Sequence, residues 1–401
     1  MIEILRSIRK HYIEIIIALL PILRYFRAPV TSENLATLLL YFVLLVIITR
    51  TRRIVMRYGF TLLYCLYIFA GFFFTGITEG FGVLFFNIAI IILIVNAYTY
   101  NERYDPHYLL NVIEIVSILA CVVIFLQYTF YYGAGHWYQP FPITIYTNAI
   151  QQSRSAFIRI TTGTASGMFR PASLFIEPAH FAQYIGISLS YCLYKHKEQH
   201  KKADMIISLI FTIALLMSTS GIGLFCIIIS WGIYLAAFLK RRKSKKAVIY
   251  SMIAIAIAAA LIPLLTRQEF AQIAIRRLMS TESNSNSAFY GRSDGYSKFI
   301  SQSFIRLLFG NGINYIEPGD VYFTSLSMLL MRVGIVGTII YGASYLQSLY
   351  KNKGASIWLI PVIIVIGIAA GVYDFANLAF YLTIGFSRFS GLVDLNEGEQ
   401  I

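Results

Sequence analysis

Arg170-Pro-Ala-Ser-Leu-Phe-Ile-Glu-Pro-Ala-His-Phe-Ala-Gln-Tyr184 runs straight into Ile185-Gly-Ile-Ser-Leu-Ser-Tyr-Cys-Leu-Tyr194. An arginine, a glutamate and a histidine stand at the mouth of a segment that otherwise reads as membrane-spanning. Ionisable groups near bilayer depth are costly, and they face a cavity or a pathway rather than lipid. Chemistry or transport is therefore expected where this segment meets water.

The surrounding chain has the same character. Of 401 residues, 58% are hydrophobic and 13% charged, and apolar runs of about 20 residues recur, each enough to cross a bilayer. The expected fold class is all-α: a polytopic integral membrane protein of about twelve transmembrane helices. The apolar runs predict spans at 11–27, 35–49, 58–76, 80–98, 108–133, 174–194, 204–219, 221–239, 247–265, 321–348, 356–371 and 373–387. The segment after Met1–Lys10 has no small-residue cleavage site and reads as a first span. The four cysteines (Cys65, Cys121, Cys192, Cys226) lie inside apolar runs without metal-ligand spacing, so they act as small hydrophobes.

The net charge of +14 points to membrane topology rather than to nucleic acid. Short basic connections belong in the cytoplasm. Arg50–Arg57, Lys195–Lys202, Lys240–Lys246 and Lys351–Lys353 all fall on one side of the twelve-span arrangement, together with both termini. Of the residues on the opposite side, only Lys298 is a lysine among the basic ones; the others are arginines. Such a bias fits bidentate binding of an anion such as phosphate. Two long external loops, about 134–173 and 266–320, are expected to be functional.

The first loop is aromatic at its start (Tyr131, Tyr132, His136, Trp137, Tyr138) and then carries Arg154, Arg159 and Arg170. Aromatic rings can stack on sugars, and they also anchor a chain at the membrane interface. Glu177-Pro178 fits a helix start. Glu177, His180, Phe181 and Tyr184 then share one face, where a carboxylate and an imidazole can do acid–base work. A helix-capping role with an arginine counter-ion is the structural alternative. A Glu-x-x-His pair can also ligate metal, but a di-metal bundle needs a second copy and two further glutamates, so no metal and no cofactor are expected. Ser218-Thr-Ser-Gly-Ile-Gly223 permits either a tight turn with N–H groups turned toward an anion or simple close packing. The second loop carries Arg267, Arg276, Arg277, Tyr290-Gly-Arg-Ser-Asp-Gly295 (with Arg292) and Phe309-Gly-Asn-Gly-Ile313, and Asp320 stands where the chain returns into the membrane. No Walker A motif and no Asp-x-Asp is present.

Taken in order, these motifs resemble the O-antigen polymerase (Wzy) family, within the wider O-antigen ligase and polymerase group. The likeness rests on Arg170 followed by Phe175-Ile-Glu-Pro-Ala-His-Phe-Ala182, on Ser218-Thr-Ser-Gly221, Gly291-Arg292 and Gly310-Asn-Gly312, and on Asp320-Val-Tyr322 with Gly334-Ile-Val-Gly337. It covers the region 165–340. Ligases and many polymerases carry a histidine where this chain has Asp320, which favours a polymerase.

The resemblance implies a glycosyltransferase. It would join polyprenyl-diphosphate-linked oligosaccharide units into O-antigen, capsule or a related surface polysaccharide, on the external face of the bacterial cytoplasmic (inner) membrane. It implies Arg170 and Arg292, with Arg154, Arg159 and Arg277, as ligands of the substrate diphosphate. Glu177 is the first candidate base, with Asp320 and His180 beside it. The implied partners are a lipid-linked donor and acceptor, membrane lipid and a chain-length regulator protein, with no nucleic acid. An O-antigen ligase and a lipid-linked oligosaccharide flippase are the alternative readings.

Overall fold

The computed structural model describes residues 10–29, 34–50, 59–75, 105–165, 168–241, 290–313, 315, 323–351, 354–369, 375–387 and 389. Over these the fold is all-α apart from one two-residue β ladder. In chain order the helices are α1 (Tyr12–Leu23), α2 (Leu35–Arg50), α3 (Gly59–Thr75) and α4 (Pro106–Ala134). A 3-10 turn (Ile143–Ile145), α5 (Asn148–Gln152), α6 (Arg154–Thr162) and the strands β1 (Thr164–Ala165) and β2 (Met168–Phe169) follow. Then come α7 (Pro178–Gln199), α8 (Lys202–Met217), α9 (Gly221–Arg241), α10 (Tyr290–Ile300), α11 (Phe304–Phe309), α12 (Ser325–Lys351), α13 (Ser356–Ala369) and α14 (Phe375–Phe386). The segments expected to be helical match α1–α4, α7–α9 and α12–α14 to within a few residues. The expected spans at 80–98 and 247–265 lie outside the described residues.

Among the described residues, three stretches are long and apolar enough to cross a membrane: Pro106–Gly133 of α4, Gly221–Leu239 of α9 and Ser325–Ser348 of α12. Shorter apolar helices accompany them at Tyr12–Leu23, Leu35–Ile47, Gly59–Gly71, Ser356–Ile368 and Asn377–Phe386.

The chain divides into two units, Met1–Val112 with Gly291–Asp394 and Ile113–Tyr290 with Leu395–Ile401, so that one boundary falls inside α4. In the unit built from 113–290, α7 is central. Every residue from Phe181 to Tyr194 is buried, and α8 and α9 pack along it. The buried helix is the polar one: it carries Gln183, Ser188, Ser190 and three tyrosines, with Ser188 Oγ 2.6 Å from Ser117 Oγ of α4. The exposed faces are the apolar ones, with Ile115, Leu119, Val122 and Leu126 outward on α4 and Ile206, Leu209 and Ile213 outward on α8. An apolar outer surface around a core that admits paired polar groups among its hydrophobic residues suits lipid as the solvent.

In the unit built from 1–112 and 291–394, α12 packs on α3, α11 and α13, while α14 packs on α1, α2 and α13. The start of α1 is tied to the start of α4. His11 stacks on Tyr108 with centroids 4.0 Å apart, and Glu14 accepts the Asp105 N–H at 3.3 Å. Helix α12 is broken inside. Gly334 has φ 68 and ψ −173, and the Gly310 backbone packs directly against it. A Cβ on Gly310 would stand 2.3 Å from the Arg332 carbonyl oxygen, and one on Gly334 would stand 2.3 Å from that of Leu308. The carbonyls freed by the break are taken up. Asn311 and Gly312 donate their N–H groups to Met331 and Arg332 (2.9 and 2.8 Å), and the Tyr67 hydroxyl donates to Val333 at 2.9 Å. Irregular backbone at membrane depth persists only with such partners.

Candidate functional site

The first long loop is a folded cap. Its chain enters from the aromatic end of α4, turns through the 3-10 segment, α5 and α6, and returns through the ladder Thr164–Phe169. The rings at its base pack on each other. Tyr131 stacks on Phe169 at 3.8 Å, Phe130 stacks on Tyr138 at 5.5 Å, and Trp137 meets Phe169 edge-on. These contacts hold the base of the loop together, while Phe130 (41%) and Tyr132 (60%) keep exposed surface. Trp137 Nε1 also donates to the Ile160 carbonyl at 2.7 Å. Gly163, at φ 65, lies so close beneath the indole that a Cβ would fall 2.4 Å from it.

The segment Arg170–Glu177 is held from below by one polar side chain. Ser173 is buried and sits at φ 58, a region non-glycine residues seldom occupy. Its N–H donates to Gln127 Oε1 at 2.9 Å, Gln127 Nε2 donates back to the Ser173 carbonyl at 3.4 Å, and Ser173 Oγ donates to the Ala120 carbonyl at 2.5 Å. Three bonds over-determine the strained turn, and they set where Glu177 emerges. Sequence reasoning missed Gln127; the available signal was an amide inside an apolar run.

Glu177 is the residue before α7, extended at φ −124 and ψ 139, with Pro178 next. Its side chain makes no capping hydrogen bond. The carboxylate instead meets Arg159 Nη1 at 2.8 Å. Arg159 stands in the last turn of α6, where the helix dipole favours a cation. The pair lies at a partly open edge, with the Glu177 side chain 36% and that of Arg159 21% exposed. Arg159 Nε is buried without a hydrogen-bond partner among the described residues. The half-buried His180 follows at the first turn of α7, but Phe181 and Tyr184 turn fully into the core. Only Glu177 and His180 of the expected four-residue face therefore remain accessible.

The half-buried Arg170 follows β2 and donates its N–H to the Gly163 carbonyl at 2.8 Å. Arg154 is exposed at the first turn of α6, about 140° around the helix from Arg159. The structure thus joins Glu177 to Arg159 within one cap and turns Arg154 another way. Arg292 lies on α10, in the other unit. Arg277 and Asp320, with Arg267, Arg276 and Ser280–Ser287, lie outside the described residues. At Ser218–Gly223 the three hydroxyl residues are buried, Thr219 at φ 51. A Cβ on Gly223 would lie 3.3 Å from the Leu215 carbonyl oxygen and 3.5 Å from Ala182 Cβ. This is close packing between helices.

A second ionic cluster occupies the far end of α7. Lys195 Nζ lies 2.5 Å from Glu114 Oε2 on α4 and 3.3 Å from Asp204 Oδ1 on α8, and all three side chains are largely buried. Burial pulls the Lys195 ammonium down, but its hydrogen bond to Glu114 and the charges of Glu114 and Asp204 carry it above the usual lysine range. Eighteen residues of helix separate Glu177 from Lys195, about 27 Å at 1.5 Å per residue, close to one hydrocarbon thickness. Sequence reasoning gave Lys195 only a topological part.

Among the described residues no group of three or more His, Cys, Asp or Glu side chains could hold a metal ion. No protein-family model matches the chain, and no curated protein matches it.

Proposed function

We propose that this chain is a polytopic glycosyltransferase of about twelve spans that polymerises polyprenyl-diphosphate-linked oligosaccharide units into surface polysaccharide. It would do so at the external face of a bacterial cytoplasmic membrane. The observation that carries the reading is the Glu177–Arg159 pair at the partly open mouth of a buried polar helix, within a motif order resembling the O-antigen polymerases. The Lys195 cluster about one bilayer core away supports a helix that runs from one interface to the other.

The proposed step uses the pair as a unit. Departure of the lipid diphosphate needs its developing charge neutralised, which guanidinium groups do bidentately. Arg159 is one such group, with Arg170, Arg154, Arg277 and Arg292 as the further candidates. When Arg159 turns to phosphate, the Glu177 carboxylate is released and can take the proton of the attacking hydroxyl. That hydroxyl oxygen forms the new bond to the anomeric carbon. The old carbon–oxygen bond breaks, and the lipid diphosphate leaves with its electron pair. Asp320 and His180 are the other candidate bases. Membrane lipid and a chain-length regulator protein are the proposed partners.

The test is a strain lacking the gene, complemented with Glu177→Gln or Arg292→Ala, with surface glycan sized on a gel. Polymerase activity predicts single repeat units in place of a ladder. A null strain that displays no unit outside at all would make export the function instead.

A further inference from the structure

The described part of the second long loop, expected to stand in water, packs along the first half of the α12 span. Helix α10 packs at the start of that span: a Cβ on Gly295 would meet Ser327 Oγ at 2.7 Å, and the Tyr296 hydroxyl lies 3.0 Å from Thr324 Oγ1. The chain then descends. Gln302 Nε2 reaches Met331 Sδ at 3.2 Å, and Asn311 Nδ2 donates to both Gln302 Oε1 and the Met331 carbonyl at 2.9 Å. Gly310 lies against Gly334. Met331 and Gly334 are six and nine residues past Ser325, about 9 and 14 Å along the helix, against a hydrocarbon core of about 30 Å.

At this level the hairpin exposes its largest apolar side chains: Ile300 (71%), Phe304 (72%), Ile305 (70%) and Phe309 (54%). Arg306 is exposed between them. Four such groups within ten residues would be a severe liability in water. At this depth they match acyl chains, and the long arginine stem lets the guanidinium reach the headgroup layer.

We propose that Ile300–Phe309 is a re-entrant hairpin seated in the leaflet, its apolar face on lipid acyl chains and Arg306 on the phosphate of an anionic lipid. The inference rests on the membrane reading above. It gives the Gly310–Gly334 contact a task, since that close backbone approach holds the end of the hairpin against the break in α12.

Single-cysteine substitutions in the full chain test it, in phosphatidylglycerol-containing vesicles with a charged maleimide on both sides. The four native cysteines are buried and supply little background. Ile305→Cys and Ile300→Cys are expected to react at least about tenfold more slowly than Ser155→Cys on the exposed face of α6, matching Leu119→Cys on the apolar face of α4. Rapid reaction at both hairpin positions, with Leu119→Cys protected, would overturn the hairpin and leave the membrane reading standing. Rapid reaction at Leu119→Cys as well would overturn both. A bimane on Ile305→Cys should be quenched more by brominated phosphatidylglycerol than by brominated phosphatidylcholine, and Arg306→Gln should abolish the difference. Equal quenching by the two lipids before that change would remove the anionic partner.

Discussion

Glu177 and Lys195 mark the two ends of one helix, and their ion pairs have opposite energetic characters. The Glu177–Arg159 pair is partly open to solvent, and such pairs contribute about 0–1 kcal/mol. Glu177→Gln should therefore leave thermal unfolding in detergent nearly unchanged while abolishing the glycan ladder. A large fall in unfolding temperature would assign the residue a structural role instead. The Lys195 cluster is buried. Lys195→Met leaves two carboxylates facing each other in a low-dielectric site, and loss of one partner of a buried pair costs about 3–5 kcal/mol. Glu114→Gln and Asp204→Asn introduced together with it should restore much of that loss, read by thermal unfolding. The raised Lys195 pKa means its contribution is complete below the ordinary lysine range and disappears only as pH rises through the folded value. Wild-type stability should thus lose this contribution only in strongly alkaline buffer, and the Lys195→Met chain should lack that alkaline loss.

At the scale of elements, the informative feature is where regular structure fails. The turn at Ser173 is held by Gln127. Gln127→Leu strands the Ser173 N–H in a buried place, at a cost of about 1–3 kcal/mol, and should also lower polymer yield by displacing Glu177. The break in α12 was legible only in fragments: Phe309-Gly-Asn-Gly and Gly334-Ile-Val-Gly337 stand out as motifs, but neither names the other as partner. Their meeting is backbone against backbone, so no side-chain pattern records it. Gly334→Ala places a Cβ 2.3 Å from the Leu308 carbonyl oxygen, at a positive φ. It should cost several kcal/mol in strain and displaced packing. Gly342→Ala, eight residues on with open space around it, should be neutral or slightly stabilising. Equal effects of the two on unfolding temperature would mean that the contact contributes nothing.

Across the whole molecule, the apolar outer faces of α4 and α8 in the 113–290 unit set the environment, with the few polar groups of that unit's α7 turned into the core. If that unit crosses a bilayer, the cap and the Lys195 end face opposite compartments. Ser155→Cys on α6 and Gln199→Cys at the end of α7, both at exposed positions, should then react with an impermeant thiol reagent from opposite sides. In intact cells only Ser155→Cys is expected to react; labelling of both from outside would overturn the topology.

The apolar helices α1–α4, α7–α9 and α12–α14 and their approximate limits were legible in the sequence alone, whereas α5, α6, α10 and α11 lie in stretches that read as loops. Apolar runs of membrane length leave the backbone no option but internal hydrogen bonding, so composition is enough to specify helix. Sequence also pointed to Glu177 at a helix mouth, because proline is favoured at the first helical position. What only the tertiary structure decided is who meets whom. Glu177 meets Arg159 from a cap that reads as a loop, Lys195 meets Glu114 and Asp204 from two other helices, and Gly310 meets Gly334 inside a span. These contacts join residues on different elements through folding of the intervening segments, and local pattern carries no record of them.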